Sequence, residues 1–152
     1  MGGRLYFHDP DSGVTALGQA GAGLGYAGIR KSVALKFDLL NDVCEGLDSV
    51  GLLVDGTVST RSSIDLRKTG INLHSGHGFK AHVTYDGERF TVSLTDTVTM
   101  ASWSHAFPVD IPTIVGRDTA YVGFTGGTGA LTASQGIISW DFASANSMPS
   151  TR

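Results

Sequence analysis

Residues 121–142, YVGFTGGTGALTASQGIISWDF, decide how the rest of the chain is read. Tyr121, Val122, Gly123 and Phe124 form a short apolar run that predicts a buried strand. Ile138, Trp140 and Phe142 alternate with Ser139 and Asp141, the period-2 pattern of a half-buried strand. Between the two lie Thr125, Gly126, Gly127, Thr128 and Gly129, where glycine permits backbone angles that a Cβ disfavours. Two strands joined by an open glycine loop present backbone groups at the rim of a sheet, a place suited to a polar ligand.

The same period recurs upstream. Val33, Leu35 and Phe37 alternate with Ala34, Lys36 and Asp38, and residues 50–54 form a second apolar run closed by an Asp55-Gly56 turn. Phe79, Ala81, Val83 and Tyr85 alternate with Lys80, His82 and Thr84; Asp86-Gly87 turns the chain; then Phe90, Val92 and Leu94 alternate again, which predicts a hairpin. Shorter strand signals lie at residues 5–7, 64–71 and 100–107. In 152 residues with 21 glycines, 41% hydrophobic and 16% charged residues, this is the composition of one all-β domain.

Composition also excludes. A formal net charge of -3 gives no basic footprint, so no nucleic-acid partner is expected. No apolar run reaches the roughly 20 residues of a membrane span. The lone cysteine, Cys44, cannot form an internal disulfide, and its acidic neighbours Asp42, Glu45 and Asp48 disfavour a thiolate, so it reads as structural. The N-terminal residues carry no signal-peptide pattern, leaving a cytoplasmic chain or a domain of a longer secreted one.

Gly23, Gly25 and Gly28 match the dinucleotide spacing G-x-G-x-x-G. That fingerprint works only between a strand and a helix, whose N-terminus meets the phosphate. Here a strand pattern follows at residues 32–38, so the match reads as a glycine loop.

These segments together resemble the legume-type (L-type) lectin family, across residues 5–142. Its signatures are a V-G-F-[ST] strand with a glycine loop, a following I-x-S-W-x-F strand, a G-G-G-L-G loop and a V-A-V-E-F-D strand. Here they stand as Val122-Gly123-Phe124-Thr125, Ile137-Ile138-Ser139-Trp140-Asp141-Phe142, Gly21-Ala22-Gly23-Leu24-Gly25 and Val33-Ala34-Leu35-Lys36-Phe37-Asp38. The resemblance implies an antiparallel β-sandwich of the concanavalin A-like, jelly-roll kind, shortened at the N-terminus. It implies a non-catalytic carbohydrate-binding module whose partner is a glycan or polysaccharide, with an extracellular or cell-surface setting favoured. The implied sugar-binding residues are Gly21, Ala22, Gly23, Asp38, Asp42, Gly126, Gly127, Thr128 and Gly129.

The departures bear on metal. The family holds calcium and a transition metal on this strand and the loop after it; here Lys36 replaces the family glutamate and Ser49 stands at the histidine, beside Asp38 and Asp42. An ammonium among the ligands removes an oxygen and repels a cation, so no cofactor is expected, with calcium the one ion left open. Lys36 and Asp38 read either as exposed strand residues or as an internal ion pair in which Lys36, pairing with Asp38 and Asp42, stands in for the metal. The chain also resembles bacterial proteins with L-type lectin-like modules in which lysine takes this position. Leu40 stands where an aromatic often packs on sugar, and Met1-Gly2 stand where the family carries an aspartate that bonds sugar.

Other chemistry is thin. His74 and His77 at a glycine turn have no third ligand in view and read as polar turn residues. Ser104-His105 lacks a hydrolase elbow. Trp103 reads as core before sugar platform. Related sandwich glycosidases carry E-x-D-x-E on one strand, whereas Lys36-Phe37-Asp38 holds one carboxylate, so no enzyme is expected. The alternatives are a structural or adhesion scaffold that has lost sugar binding and, after it, a glycoside hydrolase-related domain. The domain is expected over residues 1–142 with a tail at 143–152. Residues 137–142, as an unprotected edge strand, predict a homodimer through a sheet edge, or a covering by the tail.

Overall fold

The structure, a computed structural model, describes residues 2–13, 15–41, 46–58, 62–128 and 134–144. Among these residues eight strands are present: β1 (Gly2–His8), β2 (Ser32–Asp38), β3 (Ser49–Val54), β4 (Ser63–Asp65), β5 (Phe79–Tyr85), β6 (Arg89–Asp96), β7 (Ser102–Pro108) and β8 (Tyr121–Gly127), with a one-turn helix α1 (Ile111–Val115) before the last. They form two antiparallel sheets, a five-stranded one in the order β4-β3-β2-β1-β8 and a three-stranded one in the order β5-β6-β7. This is the expected all-β sandwich.

Alternation builds the core between the sheets. Leu5, Val33, Leu35 and Val50 of the large sheet meet Phe90, Val92, Leu94 and Phe107 of the small one, and Leu66, Ile71, Ile111 and Val115 close the ends. Val33, Leu35, Val50 and Val92 are fully buried, and each such side chain contributes about 1.5–3 kcal/mol. Phe7 of β1 meets Phe90 of β6 edge to face, ring centroids 5.6 Å apart. The hairpin forms as its sequence predicts, with Tyr85 opposite Phe90. Asp110 caps α1 by accepting the Thr113 N–H at 2.9 Å, which turns Ile111 and Val115 inward.

The opposite face of the large sheet is also buried. The chain between β1 and β2 folds across it, and Tyr6, Tyr26, Ile29, Ala34 and Leu53 make a second apolar cluster there. Strand β2 is therefore covered on both sides, and the reading of Lys36 and Asp38 as exposed strand residues is corrected: both are buried.

Two further expectations change. The strand signal at 64–71 yields only Ser63–Asp65 before the chain turns. Residues 137–142 form no strand. Alternation makes a strand only where a neighbour offers ladder partners, and among the described residues this segment is paired with no strand. Trp140 instead sets its ring edge to face on Phe124 at 4.7 Å and stacks on Phe142 at 5.9 Å, while Ile138 is 95% exposed. The outer strand of the large sheet on that side is β8, so the edge from which a dimer was expected is not the one at residues 137–142.

Candidate functional site

The register of the large sheet brings three strand ends into one row. Asp38, the last residue of β2, lies opposite Gly2 of β1, and Gly2 lies opposite Gly127 at the end of β8. Ser49 of β3 extends the row beside Asp38, with Asp65 of β4 opposite it. At this rim the sequence-predicted residues converge from three parts of the chain.

The first glycine loop is built by close chain crossing. Gly18 donates to the Gly25 carbonyl at 2.8 Å, Gln19 to Ala27 at 2.9 Å, and Gly25 back to Gln19 at 2.9 Å. A Cβ on Gly18 would lie 2.4 Å from the Tyr26 carbonyl carbon, so only glycine fits. Gly21–Gly23 form a single 3-10 turn, after which buried Leu24 takes the left-handed conformation at φ 49°. The loop then rests on the end of β8. A Cβ on Gly127 would lie 3.1 Å from Leu24 Cα, and one on Gly25 would lie 3.2 Å from Thr125 Cβ. The two glycine segments thus pack against each other, with Ala22, Gly126 and Thr128 exposed.

Tyr26 anchors that loop from beneath and was not singled out from sequence. It is fully buried, and its hydroxyl accepts the Ser32 hydroxyl at 2.8 Å and the Gly56 N–H at 3.2 Å. It also lies 3.3 Å from the Ser32 carbonyl, to which it donates. Asp9, which sequence marks only as the start of the turn Asp9-Pro10-Asp11-Ser12-Gly13, fixes the start of the same segment. Its carboxylate bonds the Asp11 N–H at 3.1 Å, Lys31 Nζ at 3.3 Å and Arg117 Nε at 3.1 Å. The Asp11 amide foremost, with both cations, holds the Asp9 carboxyl below its usual range against the opposing effect of burial. An aromatic among glycines and an Asp before Pro were the available signals.

Asp38 stands at the rim with both oxygens engaged. Oδ2 lies 2.9 Å from Lys36 Nζ, and Oδ1 accepts the Leu40 N–H at 3.0 Å. Beside it, the buried Ser49 hydroxyl has no hydrogen-bond partner among the described residues; the Thr125 hydroxyl is in the same condition. Asp42, Cys44 and Gly129 lie outside the described residues. Among the described residues no three His, Cys, Asp or Glu side chains converge as a metal site would need.

The remaining candidates separate. His74 Nδ1 lies 2.9 Å from Asp48 Oδ1, and His77 Nδ1 lies 2.8 Å from Asp96 Oδ2, so each histidine has its own carboxylate and the two do not share a ligand. Burial pushes the Asp96 carboxyl up, but His77 and the amides of Thr99 and Val98 outweigh it and bring it down to about 2. Ser104 turns to Ser93 Oγ at 2.9 Å and to the Val92 carbonyl at 3.1 Å, away from His105, whose ring packs with Trp103 and Phe107. Trp103 is half-buried against the main core.

Comparison with known proteins agrees with this architecture. Lectin I from Ulex europaeus, solved with the methyl glycoside of alpha-L-fucose, superposes with a TM-score of 0.68 at 21% identity, over 85% of this chain and 56% of that one. Basic winged bean lectin with Tn-antigen gives a TM-score of 0.70 at 19% identity over 84% and 52%. Arcelin-5, a lectin-like defense protein from Phaseolus vulgaris, gives 0.66 at 16% over 86% and 54%. At these identities the likeness shows the fold. In sequence, the chain is 32% identical over 155 residues to the L-type lectin-domain containing receptor kinase VIII.2 of Arabidopsis thaliana, covering 94% of this chain and 21% of that protein. It therefore spans about half the length of these lectins and about a fifth of the receptor kinase. The profile of the legume lectin domain matches residues 19–152, most of the chain and all of the rim but Gly2, so this chain belongs to the legume lectin domain family.

Proposed function

We propose that the domain binds a glycan at the rim where residues 21–25 meet the end of β8. What supports this is the packing of two glycine segments, far apart in sequence, against each other at one end of the large sheet. Glycine keeps side chains away from such a surface, and an edge strand such as β8 offers backbone N–H and C=O groups on its outer side. Sugar hydroxyls both donate and accept, so they suit this mixed backbone surface. In this reading Gly21, Ala22, Gly23, Gly126, Gly127 and Thr128 contact the ligand. Asp38, buried and already bonded, is a positioning residue that sets the turn after β2.

The legume lectin family is non-catalytic, and the domain is accordingly a binding module. Among the described residues no helix is long and apolar enough to cross a membrane. The relatives' own ligands, a fucoside and Tn-antigen, fit the proposed class without fixing the sugar for this chain. A second reading, a scaffold that keeps the sandwich and binds no sugar, is favoured by the engagement of both Asp38 oxygens within the protein. A glycan array separates the two. Saturable binding to at least one glycan class, weakened by Gly127→Val, is expected, and silence across the array would leave the scaffold reading.

A further inference from the structure

We propose that the Lys36 ammonium is the permanent cation of this rim: it neutralises and orients the carboxylate that family resemblance assigns to a divalent ion, so the domain is assembled without metal. The inference rests on the glycan reading only for its functional meaning. Its structural basis is separate.

The side chains of Lys36 and Asp38 are 1% and 6% exposed, with Nζ 2.9 Å from Oδ2. A buried carboxylate needs a paired charge or a coordinated ion, and the ammonium already meets that need. The other oxygen, Oδ1, accepts the Leu40 N–H and so fixes how the chain leaves β2. The register explains how a long side chain fits there. Lys36 lies between Gly51 of β3 and Arg4 of β1, and Asp38 between Gly2 of β1 and Ser49 of β3, so one flank of each residue carries no side chain.

A divalent ion does not fit the same residues. Calcium takes about six to eight oxygen ligands and gains from accumulated negative charge. Here Ser49, opposite Asp38 on β3, offers a neutral hydroxyl, and among the described residues no three acidic, histidine or cysteine side chains gather. An ion at Asp38 Oδ2 would share that oxygen with an ammonium 2.9 Å away, against charge repulsion.

The test uses the whole chain and needs no glycan. Protein equilibrated with excess calcium and manganese chloride and then desalted is read by elemental analysis, and its melting temperature is compared with and without EDTA. Ion content far below one per chain and an unchanged melting temperature are expected. Lys36→Met should melt lower, and Lys36→Met combined with Asp38→Asn should recover most of the loss, because a neutral pair needs no cation. One tightly held ion per chain, an EDTA-induced fall in melting temperature, or Lys36→Met as stable as the parent would overturn the proposal. If Lys36→Met does not fold, the metal and EDTA readings on the parent protein decide. A silent glycan array beside a metal-free, EDTA-indifferent domain removes the sugar reading and leaves the ion pair standing.

Discussion

Tyr26→Phe removes one oxygen from the interior and nothing else, which makes it a clean probe of what holds the first glycine loop. The ring remains, so packing against Tyr6, Ile29, Ala34 and Leu53 is preserved. The hydroxyl links three separate places: its own loop, the start of β2 through Ser32, and the turn after β3 through Gly56. The Ser32 hydroxyl keeps a second acceptor in the Ile29 carbonyl, so its loss is partial. The Gly56 N–H loses its partner, and a Cβ at Gly56 would lie 2.7 Å from the Ile29 nitrogen, so that turn is pressed against the loop with little room for a replacing water. A buried donor left unsatisfied costs about 1–3 kcal/mol. At about 2–4 °C per kcal/mol for a domain of this size, the melting temperature should fall by roughly 2–12 °C. Tyr6→Phe is the control, since the Tyr6 hydroxyl makes a long 3.4 Å contact to the Ala16 carbonyl and should cost well under about 1 kcal/mol. Thermal unfolding followed by circular dichroism, with urea titration for the free energy, reads both. If Tyr26→Phe melts with the parent, or if Tyr6→Phe falls as far, the hydroxyl does not hold the loop and the reasoning fails.

Three other outcomes are expected. Gly18→Ala should destabilise by about 1–3 kcal/mol or more, since its Cβ would strike backbone atoms at 2.4–2.7 Å, and urea unfolding checks it. Asp96 has its folded pKa lowered to about 2 from an unfolded value of about 3.9, so its stabilisation is full above about pH 4 and is lost as pH falls through about 2. Asp96→Asn should flatten that acid limb in a series of melting curves, and an unchanged limb would contradict the assignment. Trp140→Ala should change stability little, because Trp140 is 45% exposed and its ring contacts among the described residues are with the exposed Phe124 and Phe142; a collapse in melting temperature would mean that residues 134–144 are integral to the fold.

The fold was legible wherever its causes are local. Alternation around Asp86-Gly87 specifies β5 and β6 because the turn and both strands sit within a few residues of one another. The same logic found β2, β3 and β8. It failed at residues 137–142, where Ile138, Trp140 and Phe142 alternate well yet no strand forms. Alternation describes side chains, whereas a strand is completed by a partner's N–H and C=O groups, which a chain reader cannot see. It was also silent on which face of β2 is wet. Period 2 separates Val33, Leu35 and Phe37 from Ala34, Lys36 and Asp38, but the covering of the second face comes from Tyr26 and Ile29 folding back across the sheet.

That second face decides the chemistry of the rim. The glycines of both loops were readable as positions, whereas the close approaches at Gly18, Gly25 and Gly127, which leave little room for a Cβ, were not. Asp38 was readable as a position and not as a chemical state. On an open rim the same carboxylate accepts hydroxyls from a ligand; among several oxygens it holds an ion; beside a buried ammonium it does neither and instead fixes a turn. The 2.9 Å between Lys36 Nζ and Asp38 Oδ2 is the observation behind the third of these, the state proposed above. Any ligand at this rim then meets backbone and loop first, with the buried pair acting only through the turn that it holds at Leu40.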